Sequence, residues 1–133
     1  MRLILAALAL AAAPTALSYA QPVAAKESAA AVVQAHIDAY RSGNIDRFVA
    51  TFSSDAVLIA NGIKAKGRAQ IKAFYASNFG DGAPSIRVTE SGKVGDNIYI
   101  VTAYDFPDGT TMCCAYSEYV VRGGKITYLV TGN

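Results

Sequence analysis

From Ser85 to Asn133 no stretch keeps the apolar spacing of a helix. "SIRVTESGKVG", "DNIYIVTAYDFP", "TMCCAYSEYVVR" and "KITYLVTGN" are β-branched and aromatic runs parted by glycine-bearing turns. Residues of this kind fit a pleated, half-buried surface. Asp108-Gly109 and Gly123-Gly124 are two-residue hairpin signals, so this half of the chain reads as a long antiparallel meander. With two-residue loops, Phe106 pairs with Thr111 and Val121 with Ile126, and that register sorts the side chains onto two faces. One face is expected to hold Ile98, Ile100, Thr102, Tyr104, Cys113, Ala115, Ser117, Tyr119, Val121, Ile126, Tyr128 and Val130. The other takes Tyr99, Val101, Ala103, Met112, Cys114, Tyr116, Val120, Thr127 and Leu129, with Asp105 and Glu118 among them.

The first half has a different period. Val33, His36, Ile37 and Tyr40 fall on one helical face, and Gly43 supplies a stop. Asn44 is a good cap for a second helix, in which Ile45, Phe48, Val49 and Phe52 repeat the spacing. Ala56 to Ala60 then reads as a short strand, Asn61-Gly62 as a hairpin turn, and Ile63 to Lys66 as its return. After Gly67, Ile71, Phe74, Tyr75 and Asn78 mark a third helix, ended by "GDGAP". Three N-terminal helices must cover one sheet face, here the first, whose apolar residues are interspersed with hydroxyls. The second face is too apolar to meet only water, which predicts a homodimer through it.

The opening "MRLILAALALAAAPTALSYAQP" has one cation, Arg2, an apolar run too short to span a bilayer, and a small-x-small site at Ser18-Tyr19-Ala20. It predicts a signal peptide over 1–20 cleaved after Ala20, a mobile lead over 21–28, and one domain over 29–133. The expected product is periplasmic or secreted, with no membrane attachment after cleavage. The formal charge of the whole chain is only +2, too little to meet a run of phosphates, which argues against a nucleic-acid partner. Lys64, Lys66, Arg68 and Lys72 read as a solvated strand edge and helix start. Cys113 and Cys114 are neighbours whose side chains point to opposite faces of a regular strand, which disfavours a bond between them and leaves an outward thiol for an intermolecular one. With a single histidine, His36, they make no metal site, and no nucleophile elbow or phosphate-cradling glycine loop calls for a cofactor.

Helix, helix, hairpin, helix and curved sheet is the element order of the NTF2-like (cystatin-like) α+β cone, the fold of SnoaL-like proteins and bacterial ketosteroid isomerases. "AVVQAHIDAYRSGNIDRFVATFSSDAVLIANG" resembles the isomerase opening, "GRAQIKAFYASN" is similar to its third helix, and "GGKI" marks the final hairpin. The resemblance implies a cone with a pocket between helices and sheet. It also carries over residue by residue. The isomerases use a carboxylate base at the end of the first strand, a tyrosine from the first helix and a protonated aspartic acid from the sheet. Those positions match Ala60, His36 and Ser117; only the supporting tyrosine of the third helix is kept, as Tyr75. Steroid isomerisation by that mechanism is therefore not expected. SnoaL cyclases and related dehydratases also use acidic groups in the cavity, whereas Asp105 and Glu118 are expected on the other face and Asp38 points away round the helix.

The expected site is thus His36 with Tyr75, Ser117, Tyr104, Thr102 and Tyr119, binding a small, mostly apolar molecule. His36 is the one candidate for acid/base work, since an imidazole titrates near neutral pH. Burial without a carboxylate lowers its pKa, and a neutral ring hydrogen-bonded to Tyr75 suits it to weak chemistry at most. The alternative is a non-catalytic, dimeric interaction domain whose cone is filled by its own tyrosines, Tyr104, Tyr119, Tyr128 and Tyr75.

Overall fold

The structure is a computed structural model that describes residues 28–133. The signal peptide expected over 1–20, and the lead up to residue 27, lie outside the described residues. Helix α1 (Ala29–Arg41) starts where the Ser28 hydroxyl accepts the Ala31 N–H at 3.2 Å. Val32, Val33, His36, Ile37 and Ala39 form its buried stripe, and Gly43, at φ 72°, turns the chain where a side chain would be strained. Helix α2 (Ile45–Val49) is capped by Asn44, whose Oδ1 accepts the Arg47 N–H at 3.0 Å. It is shorter than its apolar spacing suggests. Phe52 already belongs to strand β1 (Phe52–Ala60), which therefore begins before the expected Ala56.

Asn61 and Gly62, both at positive φ, turn β1 back into β2 (Ile63–Lys66). Helix α3 (Gly67–Tyr75) follows and continues as one 3₁₀ turn over Ala76–Asn78. Arg68 ties α3 to β1, donating to the Phe52 carbonyl from Nε and Nη2 at 2.9 and 2.7 Å. Strands β3 (Ser85–Val94), β4 (Asn97–Asp105), β5 (Thr111–Arg122) and β6 (Lys125–Gly132) complete one six-stranded sheet in the order β2-β1-β6-β5-β4-β3. All neighbours are antiparallel except β1 and β6, which run parallel. α1 lies on β4, β5 and β6, and α3 on β1 and β2. Phe48, Phe52, Leu58, Ile71, Ile126 and Leu129 are the large side chains sealed between these layers.

Two bulges revise the expected register. The β4–β5 connection is a five-residue loop, Phe106 to Thr110, in which Phe106 N–H donates to the Thr110 carbonyl at 2.9 Å. The first pair is consequently Asp105 with Thr111, not Phe106 with Thr111. A bulge between the Thr102–Ala115 and Ala103–Cys113 pairs then takes up the extra residue. Ile98, Ile100, Thr102, Ala115, Ser117 and Tyr119 accordingly face the helices as expected, while the strand ends exchange faces. Met112 pairs with Tyr104 at the inner side, and Cys113 is exposed outside.

The Gly123-Gly124 turn pairs Val121 with Ile126 as expected, but a bulge follows and sets Val120 opposite Tyr128. Beyond it Leu129 points into the core, 1 % exposed, and Tyr128 and Val130 point outward. This exchange overturns the placement of Leu129 outside and of Tyr128 and Val130 inside. It also removes Tyr128 from the side chains that fill the cone. The cysteines correct a second expectation: Cys113 and Cys114 are joined to each other. The strict alternation that argued against the bond does not hold in a bulged strand.

Candidate functional site

The cone has a deep end and a mouth, and the sequence candidates divide between them. At the deep end α1 delivers His36 into a shell of aromatic rings. Phe48, Phe52 and Tyr119 lie 4.4, 5.2 and 5.3 Å from its ring centroid. Its Nδ1 is 2.8 Å from the Thr51 hydroxyl. That hydroxyl donates to the Phe48 carbonyl at 2.7 Å, so it accepts from His36, which assigns the ring proton to Nδ1 and leaves Nε2 as an acceptor. Burial lowers the His36 pKa from 6.5 to about 3, because the cation would have no counter-charge there. The imidazole is neutral at pH 7. Its partner is Thr51 and not the expected Tyr75.

Thr102, Ser117 and Tyr119 are buried with it. Ser117 Oγ meets Thr131 Oγ1 at 2.8 Å, so that hydroxyl is satisfied within the sheet. Burial raises the Tyr119 phenol pKa and raises that of Tyr75 well above its ordinary value. The space these residues enclose, together with Ile37, Tyr40, Phe48, Ile86, Ile100 and Tyr104, is only about 40 Å³. A void that size holds a water molecule or so, whose share of liquid volume is about 30 Å³. It is too small for an organic ligand.

The mouth is different. A chamber of about 440 Å³ opens between α3, the 3₁₀ turn, the loop after it and the far ends of β1, β4, β5 and β6. Its walls carry Phe74, Tyr75, Tyr104, Phe106 and Met112, with Asn61, Asn78 and Asp81 as polar groups. Tyr75, Tyr104 and Thr131 border both spaces, so these three side chains are the partition between deep end and mouth. Asn78 Nδ2 donates to the Tyr40 hydroxyl at 3.3 Å, linking the 3₁₀ turn to α1 beside this partition. Of the sequence candidates the mouth thus receives Tyr75 and Tyr104. Phe74, Asp81, Phe106 and Met112 were not among the candidates. Phe74 carries a signal in its helical spacing, but Met112 was hidden by the bulge and Phe106 by the loop length.

The four positions matched to ketosteroid isomerases do surround one cavity system: His36, Tyr75 and Ser117 at the deep end, Tyr75 and Ala60 at the mouth. Ala60 offers no proton acceptor. Asp105 lies on the opposite sheet side, held by Arg87 at 2.6 Å, and that guanidinium keeps its carboxyl below the usual range. Glu118 accepts from Asn97 at 2.9 Å, also away from the cavity. Among the described residues no three His, Cys, Asp or Glu side chains come together as a metal site.

A helix pair and a third helix inside a curved sheet, with space at its open end, define the NTF2-like cone. Residues 33–129 match the SnoaL-like domain family, and the chain belongs to that family. Solved structures share the fold at low identity. A proposed polyketide cyclase from Sinorhizobium meliloti is 20 % identical, with TM-score 0.67 over 76 % of this chain and 93 % of that one. A proposed ketosteroid isomerase from Kribbella flavida is 15 % identical, with TM-score 0.68 over 78 % and 76 %. A hypothetical protein with a ketosteroid isomerase-like fold from Catenulispora acidiphila, solved in complex with trimethylamine, is 21 % identical, with TM-score 0.63 over 75 % and 82 %. No curated protein matches the chain.

Proposed function

We propose that this SnoaL-like domain is an exported binder of a small, mostly apolar molecule held in the mouth of its cone. The observation that carries the reading is the 440 Å³ chamber walled by four aromatic rings and a methionine, within the ordinary range for small-molecule sites. The Catenulispora neighbour, which holds trimethylamine, supports a cone of this fold accepting a small molecule. Tyr75 and Tyr104 offer phenol groups at the inner wall. His36 stands behind them as a neutral imidazole bonded to Thr51, suited to weak acid/base chemistry at most. Ala60 at the base position argues against isomerase-type proton abstraction.

Native mass spectrometry on protein purified from its own cells tests this reading. A retained small molecule that is lost from a Phe106→Ala variant supports the mouth. Retention undiminished in that variant, or an empty chain that takes up nothing from a mixture of aromatic fragments, overturns it. The same preparation should begin at Gln21 if the leader is cleaved after Ala20.

A second reading rests on the outer sheet face. Tyr116, Tyr128 and Val130 stand there 43, 39 and 40 % exposed, and they favour the homodimer expected from the sequence. Light scattering on the purified chain checks it: a dimer should fall to monomers on Val130→Arg, and a wild-type monomer ends the idea.

A further inference from the structure

The mouth has an uneven distribution of charge. Its one charged side chain is Asp81, and neither lysine nor arginine lines it. The two ion pairs among the described residues, Lys72–Asp46 and Arg87–Asp105, leave Asp81 out. The same chamber is lined by the rings of Phe74, Tyr75, Tyr104 and Phe106, with Phe74 and Tyr75 set edge to face at 5.2 Å. Neither the Tyr75 nor the Tyr104 hydroxyl has a hydrogen-bond partner among the described residues, and no buried side-chain polar atom lacks one, so both hydroxyls reach open space in the cavity.

From this arrangement, and resting on the mouth as the binding site, we infer that the ligand is a small organic cation, an amine or quaternary ammonium with an apolar body. Aromatic faces carry negative electrostatic potential and attract such a head group. Asp81 adds a full negative charge to the lining of the same chamber. An anionic ligand meets both terms with the wrong sign and finds no cation to pair with. A neutral apolar molecule gains the burial but neither electrostatic term. The phenol oxygens can accept from an N–H where the amine carries one. A chamber of 440 Å³ leaves room for the apolar body beside the head group.

Calorimetric titration of the full chain at pH 7 and low salt decides the matter with three probes of one shape: benzyltrimethylammonium, benzyl alcohol and benzoate. The expected order is the cation at least tenfold tighter than the alcohol, with benzoate weakest. Asp81→Asn should weaken the cation about three- to tenfold and leave the alcohol unchanged, and added salt should do the same because it screens an exposed charge. Circular dichroism of the variant verifies that it is folded, and Tyr104→Phe provides an independent probe of the same wall. Benzyl alcohol or benzoate binding as tightly as the cation overturns the charge inference while leaving the mouth as a binding site. If none of the three binds, both the inference and the reading it rests on fail.

Discussion

The deep end and the mouth of the cone share strands β4, β5 and β6 and helix α3, yet one is packed and the other is open. At the deep end α1, α2 and β1 supply His36, Phe48 and Phe52, and the residual space is about 40 Å³. Along the same sheet, where α3 gives way to a 3₁₀ turn and a loop, the space is about 440 Å³. The difference teaches that positions matched to a catalytic family can be divided between a packed space and an open one. Here His36 and Ser117 occupy their relatives' polar positions but serve as satisfied groups in the packed end.

Acid should separate the two ends most strongly. The unfolded chain protonates His36 near 6.5 and the folded chain only near 3, so between those values the unfolded state binds the proton and stability falls as pH falls. The slope is at most about 1.4 kcal/mol per pH unit, or roughly 5 kcal/mol across the window. Urea denaturation at pH 7, 5.5 and 4 should show it, and His36→Gln should flatten it. A wild-type curve as flat as the variant's would place the histidine in wet surroundings.

Truncating the packed end comes next. Phe48 is 1 % exposed and touches the rings of His36, Tyr40, Phe52, Tyr75 and Phe79. Phe48→Ala should cost about 3–5 kcal/mol in urea unfolding. Thr51→Val should cost about 1–3 kcal/mol, because it removes the acceptor for the buried His36 N–H while nearly preserving shape. In an NMR spectrum its effect should centre on the His36 ring. Smallest is Phe74→Ala at the mouth, where the ring is already 37 % exposed. It should change stability by no more than about 1 kcal/mol, measured by the same denaturation, while weakening any ligand found there. A mouth substitution that costs as much as Phe48→Ala would erase the distinction between the ends.

The helices and most strand positions were legible because hydrophobic period is a local property. Val33, His36, Ile37 and Tyr40 announced one helical face, and Asn44, Gly43 and Asn61-Gly62 carried their own conformational reasons. The faces of β5 and β6 were legible only in part. One extra residue at Cys114 and another near Thr127 shift the alternation, and nothing in their side chains signals a bulge. Those two residues decide whether Met112 lines the mouth and whether Leu129 is core. The parallel pairing of β1 with β6 was also invisible, since it joins residues some seventy positions apart. The identity of His36 as a buried group could be read; its bond to Thr51 could not, because the helical spacing of Ile45, Phe48, Val49 and Phe52 runs on past Thr51.

That parallel pairing has a consequence for how the molecule comes into being. Among the described strands β6 comes last in sequence, yet it lies between β1 and β5 in the sheet. Until residues 125–132 exist, β1 and β2 are a detached hairpin, and Phe52 and Leu58 have no central strand to close against. Assembly must therefore wait for contacts distant in sequence, and such contacts slow folding. The β1–β2 hairpin and the β3–β5 meander share no strand pairing of their own, and β6 is the strand that joins them into one sheet.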